Sequence, residues 1–269
     1  MPDTGPMIGI IGGSGFYDLP GVTLVREVDA ETPFGRPSDV PRILDIGGRE
    51  AVFITRHGRR HDIPPHRVNY RANIRAMKDL GVSAIFAVGA VGGINAAFNS
   101  GDIVIVDQVI DMTKGRAGTF YDGCGDVGGV YHVDFSDPYC PELRRAYLDA
   151  ARVLGFSVRD GGTYVCTEGP RLESRAEIRV FHAMGADVVG MTGMPEAALA
   201  RELEMCYATA AVVTNPAAGI GGKPLTATEV IENMKKSSEM INSLLLKALS
   251  IVPLQRGCPC GSALNEAKV

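Results

Sequence analysis

The densest group of residues able to do chemistry is TRHGRRHDIPPH, residues 55–66, where Arg56 and His57 close an apolar run and Arg59, Arg60, His61 and His66 follow. Arginine presents a planar fork of donors that matches phosphate oxygens, and an adjacent imidazole can donate one more hydrogen bond. A solvated basic loop is the plain alternative. Three of the five histidines fall here, in a chain of formal net charge −4, and that concentration favours a locally built anion site. GIIGGSG, residues 9–15, is a second candidate. Glycines let backbone N–H groups crowd around an anion, and the Ser14 hydroxyl adds a donor. It is no dinucleotide fingerprint, because Asp18 stands where the third glycine belongs, and no Walker loop, because no GK[ST] follows. A tight turn would use the same glycines.

Four further stretches place polar or glycine residues at the ends of apolar runs. VGAVGG (88–93) empties into Gly89, Ala90, Gly92 and Gly93, which suits a backbone cradle or a packing turn. In VVGMTGMPEAALARE (188–202), Thr192 reads either as a helix cap or as a phosphate ligand, and Met191 alone reads as core. In CTEGPRLESRAE (166–177), Glu173 is either a helix-dipole partner or an acceptor for a ligand N–H. VVTNPAAG (212–219) sets Asn215 where it caps a strand or reads a ligand edge. RHG also opens the site of histidine phosphatases, but there it lies on the first strand and needs a second catalytic histidine far along the chain. Here it follows earlier strands, and His182 sits inside a helical pattern, so that reading weakens.

The elements that must position these residues are legible as alternating patterns. β-branched apolar runs at 7–12, 42–46, 51–55, 84–88, 102–110, 163–167, 187–191 and 206–213 predict strands. Helical spacing predicts helices over 69–81, 141–155, 174–185, 195–205 and 226–250. Ser174 with Glu177, and Thr226 with Glu229, fit the capping box, and Gly81, Gly155 and Gly185 sit at helix stops. The alternation predicts an α/β fold with a central, largely parallel or mixed sheet flanked by helices, where strand ends carry the chemistry. The expected organisation is one domain over 1–269, with a core at about 8–250, a short tail over 251–269 and a linker-like stretch over 112–138.

Composition narrows the partners. A hydrophobic share of 45% fills one large core. A net charge of −4 and no polybasic cluster argue against nucleic acid and membrane surfaces. No basic leader and no run of roughly 20 apolar residues is found, so a cytoplasmic protein is expected. Among six cysteines, Cys124, Cys140, Cys166 and Cys206 are scattered and read as idle thiols. Cys258 and Cys260 form a C-x-C that suits a metal or a strained redox bridge. No histidine or second cysteine pair lies near in sequence, so no metal is expected.

GGSG, RHG with PPHRVNYRANI, AVGG, SGDIVIVDQVID, CTEGPR, GMTGMPEAALARE and TNPA, in this order from about residue 8 to about residue 250, resemble the purine nucleoside phosphorylase and methylthioadenosine phosphorylase family. The resemblance implies a single α/β domain, a homotrimer or dimer of trimers with sites at subunit interfaces, and cleavage of a purine nucleoside by inorganic phosphate, with no metal or organic cofactor. It places phosphate on Ser14, Arg56, His57, the backbone of Gly89 and Ala90, and Thr192. It sets Met191 against the ribose and brings His132 from a neighbouring subunit toward the 5' end of the sugar, where Ala227, Val230 and Ile231 of the last helix are apolar candidates. Leu172, Glu173, Asn215, Pro216 and Ala217 are placed around the base, with Asn215 and Glu173 acting on it during the reaction. In the methylthioadenosine branch, aspartates stand at the positions of Asn215 and Ala217 and a serine at that of Glu173. The inosine and guanosine branch has Glu and Asn at 173 and 215. The expected activity is therefore phosphorolysis of 6-oxopurine nucleosides, including 5'-methylthioinosine, with 5'-methylthioadenosine phosphorylase as the alternative.

Overall fold

The computed structural model of the chain describes residues 7–12, 21–123, 129–221, 226–253 and 255–269. Among these residues eleven strands form one mixed sheet: β1 (Met7–Gly12), β2 (Thr23–Glu27), β3 (Arg42–Ile46), β4 (Arg49–Thr55), β5 (Val82–Gly93), β6 (Ile103–Ile105), β7 (Gln108–Met112), β8 (Arg159–Asp160), β9 (Thr163–Thr167), β10 (Val188–Gly190) and β11 (Cys206–Pro216). The helices are α1 (Tyr70–Asp79), α2 (Pro141–Leu154), α3 (Arg175–Ala183), α4 (Glu196–Glu202) and α5 (Ala227–Ile251). The spatial order is β2-β3-β4-β1-β5-β10-β9-β7, with β11 on the other edge of β5 and β6 and β8 beyond it.

The central strands are buried on both faces, and alternate residues feed two cores. On β11, Ala208, Ala210 and Val212 pack into the core beneath α2 and α5, while Tyr207, Ala211 and Val213 pack into the core beneath α1 and α4. A smaller cluster joins α3, through Ile178 and Phe181, to Val165, Val189 and Ala217. The helix ends follow the expected cap chemistry. Ser174 and Glu177 complete a reciprocal capping box at α3, Thr226 accepts from the Glu229 N–H at α5, and Gly155 ends α2 in a left-handed conformation.

One strand expectation is corrected, and β2 and β8 fall outside the expected runs. The run over 102–110 is two strands, because the chain changes neighbours at residues 106–107: β6 pairs antiparallel with β11, whereas β7 pairs parallel with β9. Between them, the Asp107 carboxylate accepts from the Gly162 N–H at 2.9 Å. β2 holds Leu24 and Val25, but every residue of it is exposed, and its pairing with β3 is what makes it a strand.

Candidate active site

The site begins as a gap in strand pairing. Along one edge of β5, β1 pairs only as far as Ile11 with Ala87, and antiparallel β10 begins only where Val189 meets Gly92. Among the described residues, 88–91 have no strand partner on that edge, so their peptide groups there are open to other donors and acceptors. A sheet that changes neighbours in this way binds ligands at the switch. A cleft opens there, lined by Arg56, His57 and His61, by the Gly89, Ala90, Val91 and Gly92 backbone, and by Leu172, Glu173, Met191, Thr192, Thr214, Asn215, Ala217 and Val230.

Its basic end is a buried ion pair. Arg56, at the end of β4, donates from Nε and Nη2 to the two carboxylate oxygens of Glu196, both at 2.8 Å, and from Nη1 to the Val88 carbonyl at 3.0 Å. Tyr207 donates to Glu196 Oε1 at 2.7 Å. A guanidinium has five N–H donors, so one on each terminal nitrogen stays available to an anion. His57 holds its Nδ1 at 2.9 Å from the Ile63 carbonyl. A carbonyl only accepts, so Nδ1 carries the proton and Nε2 offers a lone pair. Burial, reinforced by the Arg56 charge, pushes the His57 pKa down to about 4, which keeps the ring neutral near pH 7. In that neutral ring the nitrogen left for a ligand is an acceptor, where the sequence reading expected a donor. A Cβ built on Gly89 would stand 3.6 Å from the Thr192 hydroxyl, so the glycine backbone and that hydroxyl face a common space.

The other end carries a carboxylate and an amide. Thr167, closing β9, donates to Glu173 Oε1 at 2.6 Å and leaves the second carboxylate oxygen open. β11 slips register against β5 between Val213, opposite Val91, and Asn215, opposite Gly92. The extra residue, Thr214, is a bulge, and it lets the consecutive Thr214 and Asn215 line the same cleft. The Asn215 amide is oriented by its neighbours: Nδ2 donates to the Pro216 carbonyl at 2.9 Å, and Oδ1 accepts from Thr214 at 2.8 Å. One N–H and one lone pair remain. Ala217 is buried at the floor. Met191 lies against Gly169, where a Cβ would come within 2.6 Å of its sulfur, so only glycine admits the thioether there.

The phosphorylase superfamily model matches residues 7–250. The chain belongs to the phosphorylase superfamily. It is 54% identical to a probable 6-oxopurine nucleoside phosphorylase of Thermococcus kodakarensis, over 97% of this chain and 98% of that protein. It is 48% identical to an S-methyl-5'-thioadenosine phosphorylase of Thermofilum pendens, over 97% of this chain and 98% of the relative. The structure resembles that of methylthioadenosine phosphorylase from Schistosoma mansoni in complex with adenine, with a TM-score of 0.92 and 32% identity, covering 98% of this chain and 99% of that one.

Within this phosphorylase the fold brings Arg56, His57, Gly89, Ala90, Leu172, Glu173, Met191, Thr192, Asn215 and Ala217 into one cleft. Ser14 lies outside the described residues, as does the side chain of Ala227. Pro216 stands behind Asn215 and supplies the carbonyl that orients it. Ile231 is corrected: it is 62% exposed, and the helical turn sends its neighbour Val230 into the cleft instead. His132 is exposed and outside its own chain's cleft, with its backbone N–H on the Ala267 carbonyl. Sequence reasoning missed Glu196, Thr167 and Thr214, which orient Arg56, Glu173 and Asn215, and Tyr207, which holds Glu196. It also missed Arg116 in the stretch expected to be a linker. That buried side chain ties Tyr70, Thr167, Glu168 and Met194 together through four hydrogen bonds. A polar residue within an apolar strand, as Thr214 is before Asn215, is a signal that could have pointed to the bulge.

Proposed function

We propose that this phosphorylase cleaves 6-oxopurine nucleosides, namely inosine, guanosine or 5'-methylthioinosine, with inorganic phosphate, releasing the base and ribose 1-phosphate or its 5-methylthio form. The observation that carries this is the base end of the cleft: Glu173 with one open oxygen, Asn215 with one open N–H, and buried Ala217 beside them. A 6-oxopurine offers N1–H to the carboxylate and the O6 and N7 lone pairs to the amide. Adenine instead turns a bare N1 lone pair toward Glu173, and its amino group meets the Ala217 methyl where it needs an acceptor. The name of the Thermococcus relative agrees.

Phosphate is held by the open N–H groups of Arg56, the Gly89 and Ala90 backbone, and the Thr192 and Ser14 hydroxyls. Neutral His57 accepts from a protonated phosphate oxygen. Phosphate attacks C1' as the C1'–N9 bond lengthens, its charge supporting the oxocarbenium character of the ribose while Asn215 tightens on N7 of the departing base. Asn215 acts by hydrogen bonding, since an amide does not titrate near neutrality. Holding the reactants in line and meeting the developing charge lower the barrier together, and one such preorganised contact is worth on the order of 10²–10³ in rate. Met191 backs the ribose, and apolar Val230 suits a methylthio group at the 5' end. No metal or organic cofactor takes part in this chemistry. His132, exposed on its own chain, is suited to completing the cleft of a neighbouring copy in a homotrimer or dimer of trimers. No helix among the described residues is long and apolar enough to cross a membrane, and a cytoplasmic location follows from the proposed role in purine salvage.

Steady-state turnover of inosine, methylthioinosine and methylthioadenosine at saturating phosphate is the test. Mismatched hydrogen bonding in such a site discriminates by roughly 10⁴, so the first two are expected to exceed the third by several orders of magnitude in kcat/KM. The double variant Asn215→Asp with Ala217→Asp is expected to narrow that gap. A clear preference of the unaltered protein for methylthioadenosine would instead make it a methylthioadenosine phosphorylase.

A further inference from the structure

At the opposite end of β11 from Asn215, four cysteines that are dispersed in sequence meet. The sulfurs of Cys140, Cys206, Cys258 and Cys260 all lie within 4.8 Å of one another, and all but Cys258 are buried. Cys206 is the first residue of β11 and Asn215 is near its last, so at ~3.3 Å per residue the cluster is roughly 30 Å from the base end of the cleft. The phosphorolysis chemistry uses none of these residues.

The fold assembles the set deliberately. Cys140 precedes α2, and its backbone N–H donates to the Tyr207 carbonyl at 2.8 Å, which fixes it beside Cys206. The other two sulfurs arrive on the C-terminal tail. That tail is strapped down by the Gly257 N–H on Glu142 at 2.8 Å and by Arg256 on the Glu204 carbonyl at 2.9 Å. Cys258 then enters a short helical turn, Pro259–Ser262, that carries Cys260 inward.

We propose that these four thiolates form a structural zinc site that pins the C-terminal tail to the core. In a zinc tetrathiolate each metal–sulfur bond is about 2.3 Å, which sets the sulfurs about 3.8 Å apart in a tetrahedron. A four-way cluster spanning at most 4.8 Å, with Cys206 and Cys258 at 3.3 Å, needs only small side-chain adjustments to reach that. Binding one zinc ion displaces four protons and leaves a centre of charge −2. Cations stand where that charge would be: Arg256 Nη1 lies 3.9 Å from the Cys206 sulfur, and Arg201 shares a surface cleft with Cys260. Two disulfides would be neutral and would draw nothing from either arginine. The sequence expectation of no metal rested on a missing second pair of ligands, and folding supplies that pair from α2 and β11.

The full chain is produced with zinc in the medium, purified without chelator under argon, and assayed for metal by inductively coupled plasma mass spectrometry. Thiols are mapped by alkylation in denaturant plus chelator, with and without reductant. The expected result is about one zinc per chain, alkylation of all four cysteines without reductant, and loss of the zinc in Cys258→Ser/Cys260→Ser with phosphorolysis retained. Should that variant not fold, cobalt exchanged into the unaltered chain is expected to give the intense visible bands of a tetrahedral cobalt tetrathiolate. Free thiols with far less than one zinc per chain, or alkylation that depends on reductant, overturns the proposal.

Discussion

At the scale of single residues, the site depends on groups that never meet substrate. Arg56 is buried with its charge answered by Glu196, and the pair is oriented further by Tyr207. Removing one member of a buried pair strands the other, at a cost of roughly 3–5 kcal/mol. Glu196→Ala is therefore expected to lower the unfolding free energy obtained from urea titration by that amount in phosphate-free buffer. Added phosphate should recover more stability in the variant than in the unaltered protein, because the stranded guanidinium gains a counterion. Equal responses to phosphate would show that Arg56 does not face the anion.

At the scale of elements, the cleft is made by irregularities in otherwise regular strands. β5 outruns β1 before β10 takes over its edge, and the bulge at Thr214 re-aims the end of β11. Glycine contributes where a side chain would push these ends apart. Gly169 has φ +64°, and a Cβ there would meet the Met191 sulfur at 2.6 Å. Gly169→Ala is expected to cost about 1–2 kcal/mol from its left-handed backbone, and to raise the nucleoside KM while leaving the phosphate KM unchanged, since Met191 moves and the phosphate donors do not. Gly81→Ala serves as the control: φ is +83° and nothing lies within 4 Å of the added carbon, so it should lose stability with both KM values intact. A matching rise in KM in the control would remove Met191 from the explanation.

At the scale of the whole molecule, burying a neutral imidazole links stability to pH. His57 has its pKa lowered from 6.5 to about 4, chiefly by burial and then by Arg56, and His61, its ring centroid 4.8 Å away, is lowered by burial in the same direction. Between those two values the unfolded chain binds more protons than the folded one. The stability is therefore complete above pH 6.5 and is lost as the pH falls toward 4, by on the order of 2–3 kcal/mol for His57. Urea unfolding in phosphate-free buffer from pH 7 to pH 4 should show this slope, and His57→Gln should flatten it; a flat profile in the unaltered protein would contradict the buried neutral ring. The sequence by itself determined the alternation of strands and helices, the helix caps at Ser174 and Thr226, and the choice of Arg56, His57, Glu173, Thr192 and Asn215 as polar candidates that the fold gathers in one cleft, because periodicity, cap chemistry and side-chain type are local properties. Tertiary structure alone decided which edge of β5 lies open, that Arg56 rests on Glu196, that His57 Nδ1 is held by the Ile63 carbonyl, that Val230 rather than Ile231 faces the cleft, and that Cys140 and Cys206 join Cys258 and Cys260. Each of these depends on contacts between residues far apart in the chain, and no short-range pattern encodes such contacts.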